Sequence, residues 1–292
     1  MTARPPTAPL THMPRLIVEP AVRRALEEDL GRAGDITTDY VVPAEKRARA
    51  RIVARQKGVI SGVDAARTAF RLVDPELKVT PARHDGDRLG PGDTILDLHG
   101  PARAILTGER VALNFLGHMS GIATAAAQMA GLIAHTKAKV TCTRKTTPGL
   151  RAFEKHAVRC GGGVNHRFGL DDGVLIKDNH IAVAGGVAAA IAAAQAQAGH
   201  MVTIECEVDT LDQLREALEA GADTVLLDNM PPATLAEAVR INAGRATLEA
   251  SGGITADTIV AVAESGIDLI SVGWLTHSAP SLDLGLDIAF AD

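Results

Sequence analysis

The chain has no excess of positive charge: 30 Lys and Arg stand against 35 Asp and Glu over 292 residues, a formal charge of −5. A general nucleic-acid binder usually shows a basic surplus, so that class is excluded and any anion site must be local. Cysteine is scarce. The three residues, Cys142, Cys160 and Cys206, are odd in number and show no CxxC spacing. That excludes a disulfide frame and a zinc site of recognisable spacing, and predicts reduced thiols in a cytoplasmic protein. No run is long and apolar enough to span a membrane. The opening MTARPPTAPLTHMPRL lacks a continuous apolar segment, so it is not a secretory signal. Its Pro and Thr content predicts a mobile arm over residues 1–16. Aromatics are also few, 2% of the residues. The composition is otherwise ordinary for a globular protein, though rich in Ala and Gly.

What is present falls into two styles. Residues 17–122 mix helix and strand. Residues 17–30 predict a helix. ARARIVAR (48–55) alternates small or apolar residues with Arg, as a half-exposed strand does. Short strands follow around 58–63 and in DRLGPGDTILDLHG. Residues 107–135 predict a helix broken at Ser120-Gly121, and the Ala-rich run 182–198 a further helix. From residue 123 to 277 short apolar runs end in a polar residue and lead into helical stretches. KVTCTRK ends at Arg144 and Lys145, GVLIKDN at Lys177, VTIECEVD at Glu207 and TVLLDN at Asp228. TLEASGG ends at Ser251, Gly252 and Gly253, and LISVGW at Ser271, Val272 and Gly273. Thr210-x-x-Gln213 is a capping box. Repeated strand-then-helix units force a parallel sheet, and continuous apolar strands imply that both faces are covered. The pattern predicts an α/β barrel of six or seven strands, with a doubly wound open sheet as the alternative.

In such a barrel the strand ends converge on one rim, where the active site lies. Glu207 and Asp228 are hard oxygen ligands suited to Mg²⁺, with Glu205 one layer deeper on the same face. The Gly-bearing loops 251–253 and 271–273 offer backbone N–H groups to a phosphate. The densest stretch, residues 144–180, carries seven Lys and Arg against four Asp and Glu. Arg144, His166 and Arg167 suit a carboxylate-rich ligand, because Arg grips carboxylate in a bidentate fork. Arg151, Lys155 and Arg159, spaced by four, predict one solvated helix face.

These residues carry a resemblance. The run TRKTTPGLRAFEKHAVRCGGGVNHRFGLDDGVLIKDNHI (143–181) closely resembles the quinolinate phosphoribosyltransferase family. So do ALEEDLGRAGDIT (25–37), ERVALNFLGHMSGIAT (109–124), EVDTLDQL, LLDNM, EASGGIT and VGWLTHSAPSLDLGLDI. The resemblance implies transfer of a phosphoribosyl group from 5-phosphoribosyl 1-pyrophosphate (PRPP) to quinolinate, with loss of CO₂ and with Mg²⁺. It implies an incomplete α/β barrel beside an N-terminal α+β sheet domain that the tail 278–292 rejoins. It implies a homodimer or larger assembly.

Carried over by position, Arg144, His166 and Arg167 would bind the two quinolinate carboxylates, with Arg110 supplied by a partner subunit. Lys145 and Lys177 would meet both substrates, Glu207 and Asp228 would hold Mg²⁺, and the two Gly loops would take the 5-phosphate. One departure is visible: Cys142 stands where the family usually has Asp. Three rivals remain at this point: a transferase for another anionic ring, a Schiff-base enzyme using Lys177, and a non-catalytic phosphate sensor.

Overall fold

The computed structural model of the chain describes residues 12–290. Most of the arm predicted over 1–16 therefore lies outside the described residues. In chain order the elements are α1 (Arg15–Leu30), α2 (Ile36–Val41), β1 (Arg47–Ala54), β2 (Gly58–Val59), α3 (Val63–Val73), β3 (Lys78–Pro81), β4 (Arg88–Leu89) and β5 (Thr94–Pro101). Then come α4 (Ala102–Leu132), β6 (Lys139–Thr141), α5 (Arg151–Cys160), β7 (Val174–Ile176), α6 (Asp178–Ala184) and α7 (Val187–Gln197). The chain continues through β8 (Ile204–Val208), α8 (Leu211–Glu219), β9 (Thr224–Asp228), α9 (Pro232–Asn242), β10 (Thr247–Ser251), α10 (Ile259–Glu264), β11 (Leu269–Ser271) and β12 (Leu284–Phe290). Two compact units emerge. Among the described residues, one takes the chain up to Ala125, Ala152–Gly162 and the stretch from Ala279; the other takes Ala126–Arg151 and Gly163–Ser278. The sequence reading places residues 152–162 with the barrel instead.

The first unit is built on an antiparallel sheet of order β12-β1-β5-β3. In β1 the alternation predicted from ARARIVAR is seen: Arg47, Arg49 and Arg51 are exposed while Ala48, Ala50 and Ile52 are buried. The buried face meets Leu96 and Leu98 on the neighbouring β5, and Phe70, Ile105 and Leu116 share the core. The predicted break at Ser120-Gly121 is absent, for α4 runs unbroken through it. Gly121 is small for another reason: an added Cβ would collide with the Pro280 carbonyl, so the glycine lets the tail pass close by. Ser120 Oγ bonds both backbone groups of Ser61. Lys155 is fully buried, which corrects the predicted solvated face. Spacing by four defines a stripe but does not say whether that stripe is covered.

The second unit holds six parallel strands in the order β6-β11-β10-β9-β8-β7. Five strands follow sequence order, and the first strand of the set lies beside the last. A doubly wound sheet would reverse direction at a switch point, and none exists here. The order is that of an α/β barrel opened between its first two strands. Closure between β6 and β7 is not seen among the described residues; Val164 alone bridges to Thr141 on the outer edge of β6. The Ala-rich segment is two helices, not one. Gly185 and Gly186, at φ 89° and 144°, turn the chain between α6 and α7 by 90°. Among the described residues no single helix is long and apolar enough to cross a membrane.

Candidate active site

Parallel register carries one polar residue per strand to the same end of the sheet. Asp228, Ser251 and Ser271 are the last residues of β9, β10 and β11, and Ser251 lies directly beside Asp228. Glu207 sits near the end of β8, and Lys177 follows β7 as the N-cap of α6, its N–H donating to His180 Nδ1 at 2.9 Å. β6 ends at Thr141, earlier than the run KVTCTRK predicts. Arg144 and Lys145 stand instead in a turn. Thr143 Oγ1 accepts from the Lys145 N–H at 3.0 Å, and Lys145 C=O accepts from Thr276 Oγ1 at 2.8 Å. Those two bonds hold the paired cations where the strand has already stopped.

The structure brings together Arg144, Lys145, His166, Arg167, Lys177, Glu207, Asp228, Ser251 and Ser271 around a cavity of 420 Å³. A second hollow of 490 Å³ shares Lys145, Asp228, Ser251 and Ser271 with it and adds Gly252, Gly253 and Gly273. Two predicted residues are not brought in. Val272 is buried and its N–H donates to the Thr141 carbonyl at 3.0 Å, so it presents neither side chain nor donor to the cavity. Arg110 lies in the first unit on α4, exposed, and forms no ion pair among the described residues.

Below the rim lies a charged layer that the sequence reading left incomplete. His166 Nε2 is 2.8 Å from Glu205 Oε2 and 4.0 Å from Glu249 Oε1. Glu205 and Glu249 are 7% and 2% exposed. Ser271 Oγ donates to Glu249. Two buried carboxylates would be very costly alone, and the imidazole between them offsets that cost. Glu249 was findable. It precedes Ser251 by two residues on one strand, as Glu205 precedes Glu207, so period two places both acids one layer beneath the rim.

Arg144 and Arg167 face each other electrostatically. Burial, then the like charge of Arg144, holds the Arg167 guanidinium below its usual pKa, while Glu205 and Asp172 act the other way. Arg167 Nη1 donates to the Gly173 carbonyl at 2.8 Å. The Nε atoms of Arg144 and Arg167 are buried without a hydrogen-bond partner. Two repelling guanidiniums with unused donors make a site that gains most from a ligand carrying more than one negative charge. Cys142, fully buried, donates to Asn165 Oδ1 at 3.3 Å.

The acids divide. Glu207 is ion-paired with Lys177, whereas Asp228 accepts from Asn229 Nδ2 at 2.6 Å. Asn229 holds φ 52°, and Gly252 at φ 105° stands so close that a Cβ there would strike the Asn229 side chain. A glycine is therefore required where the β10 loop passes the acid. Two carboxylates and an amide beside open space form an all-oxygen donor set. That chemistry fits Mg²⁺ with water and phosphate oxygens completing its shell.

Four cations, two rim acids and two glycine loops at the ends of parallel strands define an incomplete α/β barrel whose rim suits polyanionic, phosphate-bearing ligands. Comparison with known proteins narrows the class. Residues 35–120 match the N-terminal domain of quinolinate phosphoribosyl transferase, and residues 122–287 match its C-terminal domain. The chain is 45% identical over 265 residues to a Bacillus subtilis protein named probable nicotinate-nucleotide pyrophosphorylase (carboxylating), covering 91% of each. It is 45% identical over 275 residues to the Mycobacterium leprae nicotinate-nucleotide pyrophosphorylase (carboxylating), covering 91% of this chain and 95% of that one. The crystal structure of NadC from Streptococcus pyogenes superposes with a TM-score of 0.93 at 41% identity, over 97% of this chain and 100% of that one. The chain belongs to the quinolinate phosphoribosyl transferase family.

Proposed function

We propose that the chain transfers the phosphoribosyl group of PRPP to quinolinate with decarboxylation. The products are nicotinate mononucleotide, pyrophosphate and CO₂, a step of de novo NAD biosynthesis. One observation supports this most: Arg144 and Arg167, with buried and unused Nε donors, line the cavity of a family member over the whole length of the fold. In this reading they grip the two quinolinate carboxylates. Because His166 Nε2 is engaged with Glu205, His166 meets the ligand through its other ring edge. Held by both carboxylates, the pyridine nitrogen is aimed at ribose C1, and positioning alone removes several kcal/mol of barrier.

Cleavage of the C1–pyrophosphate bond builds positive charge on the sugar and negative charge on the leaving group. Lys145 and Lys177 lie where that negative charge develops. The loops 251–253 and 271–273 take the 5-phosphate, through Gly252, Gly253 and Gly273 rather than Val272. Glu207 and Asp228 hold Mg²⁺, which when bound neutralises charge on the departing pyrophosphate. With Glu207 engaged by the ion, Lys177 would be free to meet the substrate. Once the ring nitrogen is quaternary, the ring accepts the electron pair of the C–CO₂ bond, and no residue needs to act as a general base. A Schiff-base role for Lys177 is disfavoured because its Nζ is already engaged by Glu207.

The reading extends to assembly. A homodimer or larger oligomer, in which Arg110 of one chain completes the next chain's site, accounts for an exposed arginine that its own unit does not pair. Three free cysteines fit a reducing, cytoplasmic setting. The test is direct. Purified protein is given quinolinate, PRPP and Mg²⁺, and nicotinate mononucleotide and CO₂ are followed together, with nicotinate as control substrate. Equal amounts of both products from quinolinate only are expected. Folded protein that makes neither, or that uses another anionic ring with PRPP, contradicts the assignment.

A further inference from the structure

The first unit carries a side-chain cluster that the transferase chemistry does not use. Asp85 stands in the turn after β3. His156 and Cys160 lie one helical turn apart on α5, a spacing that puts both on one face. Each of the three offers one ligand-type atom, and these atoms all lie within 4.8 Å of one another. His156 Nε2 is 2.8 Å from Asp85 Oδ2, and the two side chains are only 11% and 18% exposed. We infer that Asp85, His156 and Cys160 form a binding site for a thiophilic divalent cation of the zinc class.

The donor set carries the choice of ion. One carboxylate, one imidazole and one thiol give three protein ligands, and a zinc-class ion accepts that set with a fourth position left to water. Two of the ligands are also held from behind. Asp85 Oδ1 accepts from the Val63 N–H at 3.0 Å, so its second oxygen is aimed at the cluster. Ser61 Oγ donates to Cys160 Sγ at 3.3 Å, and Ser61 itself is fixed through both backbone groups by Ser120 Oγ. Such outer partners orient metal ligands and keep them poised. Without an ion, burial and then the negative charge of Asp85 push the Cys160 thiol up to about 12. A divalent cation relieves both burdens. On binding, Cys160 gives its proton to solvent as the sulfur–metal bond forms, and the proton that His156 Nε2 shares with Asp85 leaves that nitrogen for solvent or for Nδ1, so that Nε2 supplies its lone pair to the ion. No spacing rule reveals this site, because Asp85 lies far from the other two ligands in sequence.

The experiment uses the full-length protein, stripped with a chelator and titrated with Co²⁺. A thiolate ligand shows itself as a near-ultraviolet sulfur-to-metal charge-transfer band. The band should saturate at one Co²⁺ per chain and disappear when Zn²⁺ is added. Cys160→Ser should remove it, while Cys142→Ser and Cys206→Ser should leave it. Ser61→Ala should keep the band but weaken Co²⁺ by about tenfold. Should Cys160→Ser fail to fold, His156→Gln, which keeps the thiol, should abolish saturation at one equivalent. Co²⁺ held by Glu207 and Asp228 has oxygen ligands and gives no such band, so the catalytic metal does not interfere. A wild-type protein with no band, or a band that survives Cys160→Ser, overturns the assignment.

Discussion

The two units place charge by opposite rules. In the first, Arg47, Arg49 and Arg51 point outward along β1, and Arg51 meets Asp97 across the sheet at 3.2 Å. Antiparallel strands alternate direction, so no single end collects the side chains. In the second, every strand runs the same way, and six consecutive strand ends deliver polar groups to one place. The same residue types are a solvated coat in one unit and a binding pocket in the other. Strand direction decides which.

The contrast can be broken at several points. The largest effect belongs to Lys145→Ala. It should lower kcat by about 10²- to 10³-fold, the cost of losing one aimed electrostatic group, with no change in melting temperature. Leu98→Ala in the first unit should do the reverse. Leu98 is 2% exposed, so the cavity should cost about 3 kcal/mol in denaturant unfolding while the folded fraction turns over normally. Glu205→Gln lies between these extremes. It removes the charge behind His166 and keeps the shape. A rise in KM for quinolinate of roughly tenfold, about 1.5 kcal/mol, is expected at nearly unchanged kcat; an unchanged KM would mean that His166 is held by Glu249 alone. Smallest is Arg51→Ala, where an exposed cross-strand pair should contribute less than about 0.5 kcal/mol and nothing to kinetics.

Much of this was legible in the sequence where a local rule sufficed. Asp228, Ser251 and Ser271 each end a short apolar run, and each proves to be the last residue of its strand. The Thr210 capping box forms as predicted, with Thr210 Oγ1 accepting from the Gln213 N–H at 3.2 Å. Local rules failed where a distant segment decided. Gly121 looked like a helix break and is instead a point of close passage for Pro280. Thr143 looked like strand but turns to cap Lys145. Gly185 and Gly186 were outweighed by their alanine neighbours, although their φ angles end one helix and begin another. Buried Lys155 and Glu249 were missed because periodicity identifies a face and leaves open what covers it.

The central claim is that the parallel-strand rim of the second unit is where quinolinate is held. The most direct measurement is kcat/KM for quinolinate in Arg167→Ala beside the wild type, with the folded fraction of each read by circular dichroism. A loss of about 10²-fold or more at equal folded fraction is predicted, since a half-buried guanidinium opposite a carboxylate is removed. A kcat/KM equal to wild type in a fully folded variant would contradict the account and move the quinolinate site away from this rim.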